Sequence, residues 1–235
     1  MSEEAFRKAF GPTINLLTSN VDSLAKTELS DRFVAEFNEL VTLETLLKES
    51  ISEPYKQVAL LGLLELRNAL TLATLGLHKA SFSASRSSLE LLVAAPYFAM
   101  HPLKHLFWSN GRTDIVWAQL MDDEVGLFSG SNCDVLAPDL LEKSRQFQNL
   151  SKSAYRECSE FVHANPSACS LGTLNPSLCP DTAERLLSMF QTIRLIAAFA
   201  FLVIHRSSPT LHNDAVRDMI LEFFPQSPEI RSIYE

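Results

Sequence analysis

The chain has 235 residues, of which 46% are hydrophobic and 20% charged, and its formal net charge at pH 7 is −8. This composition is typical of one globular domain with a substantial core, and it excludes an intrinsically disordered chain. The acidic balance argues against broad, sequence-independent attraction to nucleic acid or to anionic membranes. Any phosphate-binding surface therefore has to be local.

The compartment is predicted from the start of the chain and from its cysteines. MSEEAFRKAF lacks the basic flank and apolar run of a signal peptide. Four cysteines show neither CxxC spacing nor the density of a disulfide framework, which predicts reduced thiols and a cytoplasmic protein. The apolar segment 194–206 is shorter than the roughly 20 residues needed to span a bilayer, so we expect a buried helix and no membrane partner.

Prolines divide the chain into long helix-like runs, and strand signals are nearly absent. The pattern predicts a single-domain, all-α helical bundle. Residues 55–235 are expected to form the bundle, and residues 1–54 either to pack on it or to form a dimer arm. The longest irregular stretches are residues 123–137 and 163–180. The predicted helices cover residues 13–26, 30–51, 55–79, 82–100, 113–122, 138–164, 181–206 and 212–223.

Two of these helices carry polar residues on otherwise apolar surfaces. In the helix predicted at 55–79, four polar residues recur at spacings of four, three and four and share one stripe. We predict that they form an internal polar layer, because buried polar groups need partners. In the next helix Arg86 and Glu90 are one turn apart, and we expect a partly buried clamp that orients a neighbouring histidine or tyrosine. The predicted polar layer consists of Arg67, Thr71, Thr74 and His78.

The helix predicted at 138–164 separates its faces clearly. Its basic stripe falls within roughly 20° of a single line at 100° per residue. The opposite side is apolar enough to dock on the bundle, so we expect Arg156 and His163 to face outward or toward a second subunit. The basic stripe consists of Arg145, Lys152, Arg156 and His163.

The sequence lacks the motifs of several common kinds of enzyme. Glu160 and His163 have the Glu-x-x-His spacing of di-iron bundles, but no second copy of that spacing follows, so no metal is predicted. The chain contains no GxSxG, GxxxxGK[ST] or GxGxxG segment, and no cofactor is predicted. Metal-free acid–base cleavage of RNA stays open, because histidine moves protons near neutral pH and arginine matches phosphate oxygens.

Arg156, six intervening residues and His163, late in a long helix of an all-α chain, resemble the motif of the HEPN superfamily. Arg86-x-x-x-Glu90 together with Tyr155-x-x-x-Ser159-x-x-x-His163 is similar to a group of bacterial HEPN-like helical proteins. The resemblance covers about residues 55–206.

This resemblance implies a metal-independent endoribonuclease or a silent relative, often dimeric and often a toxin or a phage-defence protein. His163 would assist attack by the ribose 2′-hydroxyl and Arg156 would stabilise the charged transition state. Tyr155 and Ser159 would support the pair, and Arg145 and Lys152 would bind RNA. Members often have asparagine, aspartate or histidine after the arginine, whereas this chain has Glu157.

Two other functions remain open. A non-catalytic helical module would bind a partner protein, such as an antitoxin, and would not need His163. A small-molecule binder would use Arg67, His78, Arg86 and Glu90 around an internal polar cavity.

Overall fold

The computed structural model describes residues 3–163 and 178–235, and within these ranges it contains eleven α-helices and no strand. The all-α prediction is confirmed. Two 3₁₀ turns, Pro138–Leu140 and Pro209–His212, join α-helices. The α-helices are α1 Glu3–Leu24, α2 Leu29–Ser50, α3 Tyr55–Thr74, α4 His78–Met100, α5 Pro102–Ser109, α6 Trp117–Leu120, α7 Gly130–Leu136, α8 Leu141–Val162, α9 Pro180–His205, α10 Asp214–Phe223 and α11 Pro228–Arg231.

Helices α4 and α9 form the centre of the bundle. Helix α4 pairs with α3 over most of its length, and α9 packs against α2, α4 and α8. Helix α9 is apolar on nearly every side, and every residue from Ile196 to Val203 is buried. By length and composition it is also the one helix among the described residues that could cross a membrane, although 72% of its most apolar window is buried inside the bundle. A core helix has the same composition.

The N-terminal helices have different roles. Helix α2 buries Leu40, Leu43 and Leu46 completely, so it completes the bundle. Helix α1 buries only Asn20 and Leu24, and the Asn20 side-chain amide donates a hydrogen bond to the carbonyl of Leu75 at 2.9 Å. The bundle therefore begins at α2, and α1 is attached through its last turn.

The helix predicted at 55–79 ends early, which is a correction. Gly76 has a φ of +75°, its N–H donates to the carbonyl of Ala73 at 3.0 Å, and the N–H of Leu77 donates to Leu72 at 2.9 Å. This pair of hydrogen bonds is a Schellman motif, which ends a helix where glycine adopts the left-handed conformation. His78 consequently begins α4 and does not continue the α3 stripe.

Other differences lie in the connections. Helix α1 begins about ten residues before its predicted start, and the segment 102–109 is helical although no helix was predicted there. The stretch 123–137, predicted to be irregular, contains α7, whose N-cap Ser129 accepts a hydrogen bond from the backbone N–H of Asn132. Most of the irregular stretch predicted at 163–180 lies outside the described residues.

Candidate functional site

Helix α8 is fixed in rotation by aromatic stacking on its buried face. Phe161 stacks on Phe82 of α4 with ring centroids 3.8 Å apart and planes 7° apart. One end of the helix is held by Phe147, which stacks on Phe199 of α9 at 4.0 Å. Burial of these rings against each other stabilises the contact of α8 with the bundle. Because both ends of α8 are anchored, its polar stripe is held on the opposite side.

The predicted Arg86–Glu90 pair lies between α4 and α8 and includes a tyrosine. The Arg86 guanidinium donates to Glu90 at 3.3 Å and to the Tyr155 hydroxyl, and its carbon lies 4.6 Å from the centroid of the Tyr155 ring. Trp117 stacks on the same ring at 4.3 Å. Burial, followed by the nearby Glu90 carboxylate, raises the pKa of the Tyr155 hydroxyl. Tyr155 therefore stays protonated and holds α8 on α4.

Arg156 and His163 are both exposed to solvent. Neither side chain makes a hydrogen bond or an ion pair with any other residue in the described ranges. Their backbones are about 10 Å apart along the helix axis at 1.5 Å per residue. Ser159, between them, donates its hydroxyl to the carbonyl of Tyr155 at 2.7 Å. The pair is free to contact a ligand, with Ser159 already engaged by the helix backbone.

The other two residues of the basic stripe are paired with carboxylates. Arg145 lies 3.3 Å from Glu142, and the Lys152 amine donates to Asp123 at 2.6 Å. Exposed pairs of this kind contribute little stability, but each cancels local positive charge. The stripe consequently presents less attraction to phosphate than its residue types indicate.

Glu157, the residue that departs from the HEPN pattern, is paired with Arg185 of α9. It lies about 100° around the helix from Arg156, so its carboxylate points away from the basic stripe. The Arg185 guanidinium also lies 5.3 Å from the centroid of the Phe161 ring. The repulsion of RNA that a glutamate after the arginine would cause is thereby reduced.

The predicted internal polar layer is divided between separate clusters, which is a second correction. Arg67 donates to Glu44 of α2 at 2.5 Å, and Lys48 binds the same carboxylate. The hydrogen bonds from Lys48 and Arg67 lower the pKa of Glu44. Thr71 and Thr74 donate back to carbonyls of their own helix.

His78 is the first residue of α4, whereas Arg67 lies in α3, before the turn that joins the two helices. Its Nε2 accepts a hydrogen bond from the backbone N–H of Cys179 at 3.3 Å, which ties α4 to the start of α9. Arg67 thus serves the α2–α3 contact, and Arg86 serves the α4–α8 contact. These two arginines therefore lie in separate helix contacts.

An apolar cleft lies elsewhere in the bundle, between α2, α4 and α9. Its interior has room for about one water molecule. Burial lowers the pKa of His205 in its wall, which favours the neutral imidazole. None of the four residues of the small-molecule hypothesis lines this cleft. Its walls are Leu47, Ile51, Leu92, Pro96, Ala99, Ala197, Phe201, Ile204 and His205.

The described residues offer few side chains suited to metal binding or to thiol chemistry. No three His, Cys, Asp or Glu side chains in the described ranges are grouped to hold a metal ion. Burial raises the pKa of the Cys158 thiol to about 12 and also raises that of Cys133. Since the thiolate is the nucleophile, neither cysteine suits covalent chemistry near neutral pH.

Three contacts at the site were not predicted from the sequence. Trp117, Asp123 and Arg185 reach α8 from other elements, and no spacing along the chain relates them to it. The proximity of Asp123 to Lys152 depends on how the 123–137 connection folds back on α8. Only the tertiary arrangement shows these partners.

No family model, curated protein or solved structure matches the chain. The HEPN resemblance therefore depends on the residues of α4 and α8 alone.

Proposed function

We propose that this protein is an HEPN-like effector that cleaves RNA without a metal ion, with Arg156 and His163 as its catalytic residues. One observation carries the proposal. The arginine and the histidine are both exposed and unpaired within the described ranges, on a helix whose rotation is fixed by buried aromatic stacks. Both side chains are therefore available to contact a bound ligand.

The chemistry requires one proton acceptor and one fixed positive charge. His163 takes the proton of a ribose 2′-hydroxyl as the 2′ oxygen attacks the adjacent phosphorus. The bond from phosphorus to the 5′ oxygen breaks, giving a 2′,3′-cyclic phosphate and a 5′-hydroxyl that takes a proton from water, while His163 returns its proton to solvent. The Arg156 guanidinium stabilises the extra negative charge of the transition state.

The separation of the two residues favours a homodimer. At about 10 Å along the helix, one phosphate is reached by both groups if Arg156 extends toward His163 or if a second copy supplies one of them. A toxin or phage-defence setting in the cytoplasm, with an antitoxin masking the stripe, is part of the same proposal.

The test is cleavage of labelled total RNA and tRNA in EDTA by wild type, Arg156→Ala and His163→Ala, each checked by circular dichroism. The expected result is cutting by wild type, cyclic phosphate ends, and a loss of at least 100-fold in His163→Ala. His212→Ala, which removes another exposed histidine, is the matched control and should keep full activity. Cleavage retained in folded His163→Ala, or no cleavage by wild type, overturns the proposal.

A second candidate is a non-catalytic module that binds a partner protein through the same stripe. It is favoured by the ion pairs of Arg145 and Lys152, which leave Arg156 as the one unpaired cation of the stripe in the described ranges. In this case Arg156→Glu abolishes capture of the partner, whereas His163→Ala leaves it intact. Affinity purification from the native host, comparing these two variants, separates this role from the nuclease.

A further inference from the structure

Helix α1 presents a row of large apolar side chains to solvent. Phe6, Phe10, Ile14 and Val21 follow each other at helical spacing and are each between 39% and 52% exposed. The rings of Phe6 and Phe10 contact each other at 4.8 Å. Contiguous exposed apolar rows mark interaction sites more often than isolated apolar residues do.

From residue 9 to residue 21 the helix that carries this row has no charged side chain and is little buried. Residues 9–21, AFGPTINLLTSNV, contain no charged side chain, although almost all of them are exposed or half-buried. Gly11 and Pro12 in the middle are poor helix formers, so α1 depends on packing for much of its stability. Among the described residues α1 is buried only at Asn20 and Leu24, so its apolar row is left for a further surface to cover.

The bundle offers a second uncovered apolar row on α2. Val34, Phe37 and Val41 are spaced by three and four residues and are between 44% and 60% exposed. The carboxylates nearest to them in sequence, Glu36 and Glu39, turn inward to bind Arg194. This face of α2 therefore carries apolar side chains with the exposed Asp31 one turn before Val34 at its edge, as an interface has an apolar centre and a polar rim.

We infer that α1 is an exchange arm, whose apolar face docks on the Val34–Phe37–Val41 face of α2 in a second copy of this chain. A twofold axis makes the contact reciprocal, so that each copy gives one arm and receives one. The seven side chains expose roughly 600 Å² per copy, taking about 200 Å² for a fully exposed aromatic side chain. The pair then buries roughly 1,200 Å², which reaches the size of stable specific interfaces.

This contact is separate from the proposed catalytic face and does not depend on the nuclease proposal. Helix α9 packs against both α2 and α8, and these two helices share no extensive contact with each other in the described residues. Variants that lose the arm contact are therefore expected to keep the arrangement of Arg156 and His163. Variants of Arg156 or His163 are expected to keep the arm contact. A dimer formed through the α8 faces instead would leave both arm variants dimeric, which overturns the inference, whereas the RNA assay tests His163 by itself.

The test is sedimentation velocity of the full chain at about 50 μM, comparing wild type with Phe10→Asp on the arm and Phe37→Asp on α2. The mass obtained for wild type should be twice the chain mass of 26.2 kDa, and the mass obtained for each variant should equal the chain mass. Leu103→Asp, which places the same charge at an exposed apolar position of α5, is the matched control and should stay dimeric. Circular dichroism and urea unfolding check that the bundle remains folded.

A mixture of the two variants gives a sharper result. In a heterodimer of the two variants, one of the two arm contacts joins an intact α1 to an intact α2. An equimolar mixture should therefore contain dimer, whereas each variant alone should be monomeric. Unfolding of either variant would not produce this recovery. A monomeric wild type overturns the inference, as does a dimeric Phe37→Asp beside a monomeric Phe10→Asp, which would mean that the arms pair with each other.

Discussion

Replacing Arg194 by methionine is expected to leave a buried carboxylate without its cation. The guanidinium donates to both oxygens of Glu36 at 3.0 and 3.3 Å, and to Glu39 at 3.0 Å. The side chains of Arg194 and Glu36 are 11% and 1% exposed. Methionine retains much of the apolar stem near the Phe223 ring but carries no charge. The substitution therefore removes the ion pair with a small change in packing.

The magnitude follows from the burial of the pair. Removing one partner of a buried ion pair costs about 3–5 kcal/mol, because the other charge is left desolvated. For a chain of this size the melting temperature should fall by about 6–20 °C. The double variant Arg194→Met/Glu36→Leu should recover a large part of this loss, since it leaves no unpaired charge at the Glu36 position.

The loss should also depend on pH with a defined sign. Burial raises the pKa of Glu36 above its usual 4.5, against the hydrogen bond and charge of Arg194. Without Arg194 the pKa rises further. Between pH 4.5 and the folded-state pKa the native protein binds more protons than the unfolded chain, so stability falls as pH rises through that window. The penalty of Arg194→Met is therefore expected to be smaller at pH 5 than at pH 7.5.

Urea unfolding followed by circular dichroism at both pH values measures these differences. Arg32→Met is the matched control, because Arg32 pairs with Glu184 between the same two helices, α2 and α9, with both side chains more than 40% exposed. Its cost should stay below about 1 kcal/mol. A cost of Arg194→Met below about 1 kcal/mol, or one independent of pH, would refute the reasoning.

Three further predictions concern packing, the backbone and a thiol. Phe82→Ala should lower the free energy of unfolding by about 3–5 kcal/mol, because the ring is fully buried against Phe161; urea titration checks this. Gly76→Ala should cost about 1–2 kcal/mol at its φ of +75°, whereas Gly11→Ala, with open space beside it, should increase the helical dichroism signal. Cys158 should react with iodoacetamide at pH 8 only after unfolding, as read by peptide mass spectrometry, because burial raises its pKa to about 12.

The helical class and the orientation of α8 could be predicted from the chain alone. Both depend on local rules, since apolar spacing identifies a helix and its buried side, and proline marks where helices begin. The same spacing predicted that Arg156 and His163 would face outward, and both are exposed. One local signal was missed, because Gly76 within TLGLH is the C-terminal stop that separates α3 from α4.

The partners of the charged residues were decided only by the tertiary structure. Whether Lys152 stays free depends on Asp123, and whether Glu157 repels a phosphate depends on Arg185. Such contacts join positions far apart in the chain, and their existence depends on how the helices pack. The amphipathic pattern of residues 1–54 likewise fits a bundle helix and a dimer arm equally well. Only packing showed that α2 fills the core while α1 remains outside it, because burial depends on the surfaces that neighbouring helices leave open.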